Sequence, residues 1–268
     1  PASQAWVAIA GESSVWWPHV EDLQADTRFD LVMGYSRQFA DMHASYVPHS
    51  LEEIQESLRV EEKELRGLNV TADIAYFASN CQSDFRQSWV KGLMEAIRVD
   101  SYGQCEKNKE LPAHLLQLQQ GFDEESPLHA SSRSWRTAQE AQSTVKMMVI
   151  SRYKFALAVE NTRDVDYVTE KLYEVLQAGA VPIYLGAPNW KEFFPFPSAV
   201  IDAAAFESPL DLAEYLRAVS EDPGRYEEMK RWRKEELPET ARAMSRTSFT
   251  HNLCRVCRWK ANRLTAGR

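Results

Sequence analysis

Within the twelve residues of "ENTRDVDYVTEK", directly after the apolar run "FALAV", the chain gathers Glu160, Asn161, Asp164, Asp166, Tyr167, Glu170 and Lys171. Carboxylates accept from sugar hydroxyls, an amide or a phenol donates to an anion, and an ammonium neutralises one; a strand leaving a core needs a turn and none of these. Just beyond, Val168, Leu172, Val175 and Leu176 recur at i, i+4, i+7 and i+8, the spacing of a helix with one apolar face. Asp166 is placed to cap that helix and Gly179 to end it. Lys171 then falls in the first turn, where the helix dipole disfavours a cation. The placement makes sense where backbone N–H groups, dipole and ammonium face one phosphate together, with Glu170 beside it accepting from ribose hydroxyls. A solvated surface Glu–Lys pair fits the same two residues, and spacing alone does not choose between them.

The elements that would carry these residues alternate. "AWVAIAG" and "FDLVMGY" read as short buried strands, separated by a loop with at most a short helix; "SLEEIQESLRVEEKELRG" reads as a solvated helix or linker. Strand "IAYFASN", helix "DFRQSWVKGLMEAI" and strand "VDSYG" follow, then a polar stretch from Glu106 to Thr144, with a loop at "GFDEESPLHASSRS" between short helical pieces. Strand "FALAVE", the helix above, strands "VPIYLG" and "AVID", and helix "SPLDLAEYLRAVSED" complete the order. This is the order of a doubly wound parallel sheet. Ligands of such sheets sit beyond the carboxyl ends of the strands, and "ENTRDVDYVTEK" lies at one. Neither G-x-x-x-x-G-K-[ST] nor G-x-G-x-x-G occurs, which disfavours a P-loop NTPase and a dinucleotide dehydrogenase. A nucleotide-sugar transferase with two α/β domains remains.

Composition narrows the field further. With 44% hydrophobic and 26% charged residues the chain is neither disordered nor collagen-like, and 268 residues suffice for two modest cores. The net charge of −8 argues against nucleic acid as a partner, so any anion site is local. No apolar run approaches the ~18 residues of a membrane span. The chain opens at "PASQAWVAIAG", almost at a strand and without a signal peptide, and reads as a fragment of something longer. Cys81 and Cys105 each follow a strand, and Cys254 and Cys257 form one C-x-x-C; two disulfides, free thiols, or a zinc half-site with His251 fit these four residues. Asn69-Val70-Thr71 is an N-glycosylation acceptor pattern.

"YKFALAVENTRDVDYVTEKLYEVLQAGAVPIYLGAPN", Tyr153 to Asn189, resembles the signature of the α1,3/α1,4-fucosyltransferases, in which Y-K-F-x-L-x-x-E-N precedes Y-[VI]-T-E-K and a V-P-[IV] strand. The similarity continues at "ASNCQSDFR", "VDSYGQC", "FESPLDLAEYL" and "CRVC", and is greatest to plant Lewis-type enzymes and to a divergent animal branch that fucosylates protein hydroxyls. It implies an α/β, GT-B-like fold, two Rossmann-like domains facing a cleft. Residues 1–70 would form an N-terminal acceptor-side domain lacking its start, 71–247 a GDP-fucose-binding domain, and 248–268 a tail returning towards the first domain. The implied reaction is inverting transfer of L-fucose from GDP-β-L-fucose to a glycan hydroxyl, a GlcNAc of an N-glycan or Lewis-type acceptor, in α1,3 or α1,4 linkage. A protein O-fucosyltransferase and a catalytically silent GDP-sugar-binding module are the alternatives. No metal or other cofactor is implied.

Residue by residue, the resemblance places Arg86 and Lys171 at the donor diphosphate, Glu170 at the ribose, and Asn161 and Tyr167 near phosphate and fucose. Glu12 of "AGESS" matches the general base, a carboxylate that takes the acceptor hydroxyl's proton. Ser14 stands where the family usually has proline, which is expected to loosen that loop. The relatives' habit places the protein in the Golgi lumen, as a single-pass type II membrane protein anchored through a missing N-terminal segment, with GDP-fucose and a glycan or glycoprotein acceptor as partners. In that oxidising lumen Cys81–Cys105, joining two neighbouring strand ends, and Cys254–Cys257 are the expected disulfides.

Overall fold

A computed structural model describes residues 4–47, 51–56, 60, 62–120, 133–248 and 252–266. Two parallel sheets organise it. In the first, β1 (Val7–Ala10), β2 (Leu31–Gly34) and β3 (Met42–His43) lie in the order β1-β2-β3. Central β2 is buried on both faces, as a covered parallel strand must be, whereas edge strand β1 leaves Ile9 51% exposed.

The chain then passes through α1 (Leu51–Gln55) into the second sheet. Its strands are β4 (Ile74–Tyr76), β5 (Asp100–Ser101), β6 (Phe155–Val159), β7 (Val181–Leu185) and β8 (Ile201–Asp202), in the order β5-β4-β6-β7-β8 with every pair parallel. Between and after them run α2 (Asp84–Ala96), α3 (Ala113–Gln120), α4 (Arg133–Ile150), α5 (Glu170–Ala178), α6 (Pro209–Glu221), α7 (Pro223–Lys230), α8 (Glu239–Ser245) and α9 (Asn252–Ala266). Strand β6 shows how both faces are used: Ala156 and Ala158 pack among the side chains of α4 and α5, while Phe155, Leu157 and Val159 pack among those of α2 and α6. Leu172 and Leu176 of α5, Leu93 of α2 and Leu212 of α6 are essentially inaccessible, each worth about 1.5–3 kcal/mol of burial.

Three expectations change here. The acidic stretch after Ser50 is not a solvated helix: among its described residues only Leu51–Gln55 is α-helical, and Leu51 and Ile54, three apart, are fully buried against α5. The short helical pieces expected before β6 include an 18-residue helix, α4, whose apolar positions Val145, Met148 and Val149 all lie in its last third. Its polar first half carries no apolar period to read. Residues 121–132, the body of the expected loop at "GFDEESPLHASSRS", lie outside the described residues. Helix α5 is capped by Thr169 and not by Asp166; Thr169 Oγ1 accepts from Lys171 N at 3.5 Å, and Gly179 ends the helix at φ +94°.

Cys81 and Cys105 are joined by a disulfide with Cα atoms 5.4 Å apart. Gly103 lets the second of them arrive: a Cβ there would collide with the backbone of Ala78, because the segment after β5 lies flat on the segment after β4. Cys254 and Cys257 are not paired, which corrects the second expected bridge. They lie three apart on α9, both exposed, and i, i+3 residues on a helix hold their Cβ atoms about 5–6 Å apart, wider than the ~3.5–4.5 Å a disulfide spans. His251, the third member of the zinc reading, lies outside the described residues. The chain ends against the first sheet, where Arg255 Nη2 donates to His43 O (2.6 Å) and Ser45 N donates to Thr247 O (2.9 Å).

Candidate functional site

Leaving β4 the chain steps to β5 on one side, and leaving β6 it steps to β7 and β8 on the other. The carboxyl ends of β4 and β6 therefore flank a topological switch point, where a doubly wound sheet opens a crevice. Ser83 Oγ spans the two ends by donating to Asn161 O (2.6 Å). A cavity of about 400 Å³ lies here, with Val15 and Trp16 from the loop after β1 on one wall and Ser83, Phe85, Asn161 and Thr162 on the other. It is a cleft between the two sheets.

Ser83 also caps α2, its Oγ accepting from Arg86 N at 3.3 Å. This holds Arg86 in the first helical turn, where it is only 3% exposed. Its Nη2 donates to Asn80 O, its Nε has no partner, and among the described residues no carboxylate lies within ion-pair distance of it. A buried guanidinium left without a counter-charge is costly, and a phosphate would supply what is missing. Asn161 Oδ1, Thr162 Oγ1 and Trp16 Nε1, all from cavity-lining residues, are likewise buried without partners.

At the start of α5 the charges are arranged differently. Glu160, the first residue after β6, is fully buried; its carboxylate accepts from Thr169 N (2.8 Å) and from Thr169 Oγ1 (2.7 Å to Oε2), and lies 3.3 Å from Lys171 Nζ. Lys171 also meets Glu170 Oε1 at 3.1 Å. Burial pushes the Glu160 carboxyl above its ordinary range, with Lys171 opposing. Burial also opposes charge on Lys171, but Glu160 and then Glu170 outweigh it and hold the ammonium protonated, while Arg86 lies near enough to act against it. Glu170 settles lowest: burial would raise it, yet Lys171 and Lys146 bring it to about 2. Lys171 thus faces an anion, as its position in the first turn demands, and one such anion is the protein's own Glu160. Arg86 and Lys171 lie close enough to feel each other's charge, and of these two Arg86 has no carboxylate partner among the described residues.

Glu12 stands two residues beyond β1. Its Oε2 accepts from Tyr167 Oη (3.0 Å) and from Asn161 Nδ2 (3.4 Å), so three residues singled out in the sequence meet across the cleft. Tyr167 is held edge-on by Tyr35 (5.0 Å between ring centroids) and Tyr46 (6.0 Å), and its burial keeps the phenol protonated as a donor. The loop bearing Glu12 is not loosened by Ser14. Ser14 N and Oγ both donate to Asp164 Oδ2, at 3.1 and 2.9 Å, and Tyr35 Oη donates to the same oxygen at 2.7 Å. Asp166, at φ +68°, is spent on the same junction: Arg37 Nη2 binds its Oδ1 at 2.6 Å, and Asn189 Nδ2 donates to that oxygen at 2.9 Å.

Much of "ENTRDVDYVTEK" is therefore a clamp between the two sheets. Sequence reasoning named Glu160 and Asp164 in the cluster without giving either a role, and it missed Tyr35. The signal for Glu160 was its place at the end of a wholly apolar strand; for Asp164 and Tyr35, with partners more than a hundred residues away, there was none. Asn69 is exposed, and Thr71 Oγ1 of the same tripeptide donates to Asp100 Oδ1 (2.7 Å). Among the described residues no group of three or more His, Cys, Asp or Glu side chains is placed to hold a metal ion, and no helix is long and apolar enough to cross a membrane.

Fold and site together define a two-lobed α/β protein with a crevice at a topological switch point. Residues 69–265 match glycosyltransferase family 10 (fucosyltransferase), C-terminal part, and the chain belongs to that family. A fucosyltransferase-like protein of Arabidopsis thaliana is 28% identical over 256 residues, covering 94% of this chain and 42% of that protein. GDP-fucose protein O-fucosyltransferase 3 of Xenopus laevis and of Homo sapiens are each 35% identical over 60% of this chain and 30% of their own length. The chain thus spans less than half the length of these relatives. A crystal structure of an α1,3-fucosyltransferase superposes with a TM-score of 0.54 at 14% identity, covering 87% of this chain and 71% of that one. The fold is GT-B-like.

Proposed function

We propose that this chain carries the catalytic cleft of an inverting fucosyltransferase that uses GDP-β-L-fucose. The acceptor hydroxyl oxygen attacks C1 of fucose while its proton passes to Glu12. The bond from C1 to the phosphate oxygen breaks, and its electron pair leaves with GDP. Arg86 and Lys171 stabilise the charge growing on the diphosphate, Glu170 accepts from the ribose hydroxyls, and Asn161 and Tyr167 bridge base and donor. One carboxylate suffices because no covalent sugar–enzyme intermediate forms. Two fixed cations do the work a divalent metal would do.

The observation that carries this reading is the meeting of Glu12 with Asn161 and Tyr167 across the cleft, beside a helix turn whose buried Arg86 has no carboxylate partner among the described residues. A glycan hydroxyl is the acceptor the sequence reading put first. The relatives' name, protein O-fucosyltransferase, favours a Ser or Thr hydroxyl of a folded protein. The Cys81–Cys105 bridge supports an oxidising compartment, for which the Golgi lumen and a glycan on Asn69 are the corresponding proposals. Labelled GDP-fucose offered to N-glycan, Lewis-precursor and folded small-protein acceptors tests the reaction and separates the two acceptor classes. GDP binding without label transfer or GDP release would leave a silent binding module.

A further inference from the structure

Glu12 is followed by a tight turn. Ser13 O accepts from Trp16 N (3.1 Å) and Trp17 N (2.9 Å), which makes Ser14 and Val15 its central residues. Proline at the first central position would fix such a turn through its ring; serine fixes nothing by itself. The turn is instead held from the other lobe. Asp164 Oδ2 collects Ser14 N (3.1 Å), Ser14 Oγ (2.9 Å) and Tyr35 Oη (2.7 Å), while Ser14 N also reaches Tyr35 Oη (3.1 Å). Burial first, and Asp164 next, raise Tyr35 above its ordinary range, so the phenol stays a donor. One carboxylate oxygen thus ties the turn after β1 to the residue after β2. Three residues to either side of Asp164 stand Asn161 and Tyr167, the two that reach Glu12.

We propose that Asp164 is a positioning residue: by gripping the Ser14 turn it holds the Glu12 carboxylate in register with the donor-side loop. Asp164 touches no reacting atom in this arrangement. It acts through Ser14 and Tyr35, in place of a rigid residue at position 14. The proposal rests on Glu12 being the base.

The test compares Asp164→Ala, Ser14→Pro/Asp164→Ala, Glu12→Gln and Glu12→Gln/Asp164→Ala in the intact protein. GDP release from GDP-fucose gives kcat and KM, calorimetry with GDP gives affinity, and hydrogen exchange reports the amides of residues 13–17. Asp164→Ala is expected to lower kcat about tenfold to a hundredfold while leaving GDP affinity unchanged. It should speed exchange of those amides by about tenfold. Adding Ser14→Pro, which fixes the turn without a partner, should recover most of both losses. In the Glu12→Gln background Asp164→Ala should cost nothing further, because the group it positions is already gone. Unchanged exchange in Asp164→Ala overturns the proposal. So does a fall in kcat matched by falls in GDP affinity and thermal midpoint that proline does not repair, which is the mark of a merely structural aspartate. A fully active Glu12→Gln sinks the base reading instead, and the exchange measurement still decides whether Asp164 holds the turn.

Discussion

Glutamine at position 12 keeps one amide oxygen to accept from Tyr167 and Asn161, so Glu12→Gln should preserve the cleft and remove only the proton acceptor. Transfer is expected to fall by roughly 10²–10⁴ with GDP binding intact; wild-type turnover in that variant takes Glu12 out of the mechanism. Arg86 and Lys171 make a different prediction, because both are assigned to one diphosphate and lie within reach of each other's charge. Arg86→Lys keeps a cation but loses the planar fork, and Lys171→Ala loses the charge held by Glu160 and Glu170. Each should weaken GDP binding by about tenfold or more, since hydrogen bonds to charged groups are worth about 1.5–3 kcal/mol. Their effects should be non-additive in calorimetric titrations. EDTA should leave turnover unchanged; loss that Mg²⁺ or Mn²⁺ restores would show that the two cations do not suffice.

Elements, more than residues, were legible in the sequence. Strands β6 and β7 announce themselves as unbroken apolar runs because a parallel sheet is covered on both faces. Helix α5 shows its period and its terminal glycine. Its cap was misread: Asp166 has the right chemistry, but its carboxylate is claimed by Arg37 and Asn189, which leaves Thr169 to start the helix. The cysteines divide the same way. Two strand ends that touch could be bridged, whereas the C-x-x-C spacing did not reveal that a helix would hold its thiols apart. Peptide mapping of non-reduced protein is expected to return one Cys81–Cys105 crosslink and alkylatable Cys254 and Cys257. Removing the crosslink with Cys81→Ser and Cys105→Ser, a sequence separation of 24, should cost about 3 kcal/mol in the chain-entropy model. Unchanged denaturant stability would show that the unfolded chain gains nothing from its release.

At the scale of the whole molecule, the junction of the two lobes is what the sequence concealed. Its polar cluster looked like a ligand site, and half of it turned out to join the chain to itself. Periodicity cannot separate the two uses, since both call for short polar side chains at strand ends, and only the positions of Arg37, Tyr35 and Ser14 in space distinguish them. The junction also carries a pH dependence. Asp166 is 3% exposed; burial would raise its carboxyl, but the side-chain and backbone donors of Arg37 and the Asn189 amide pull it below its ordinary value. A group whose folded pKa lies below its unfolded one stabilises the fold fully above the unfolded value, near ~3.9 for aspartate, and the contribution is lost as pH falls through the folded value. Asparagine tolerates the left-handed backbone at this position, so Asp166→Asn removes the charge with little added strain. At neutral pH the variant should melt below the wild type. As pH drops beneath ~4 the gap should close, because the wild-type carboxyl becomes protonated and Arg37 then lacks a charged partner at position 166 in both proteins, while its pair with Glu192 (2.6 Å) is common to the two. Melting curves of the pair from pH 7 down to the acid limit of solubility measure this directly; a gap independent of pH would mean that Asp166 holds the lobes by shape and not by charge.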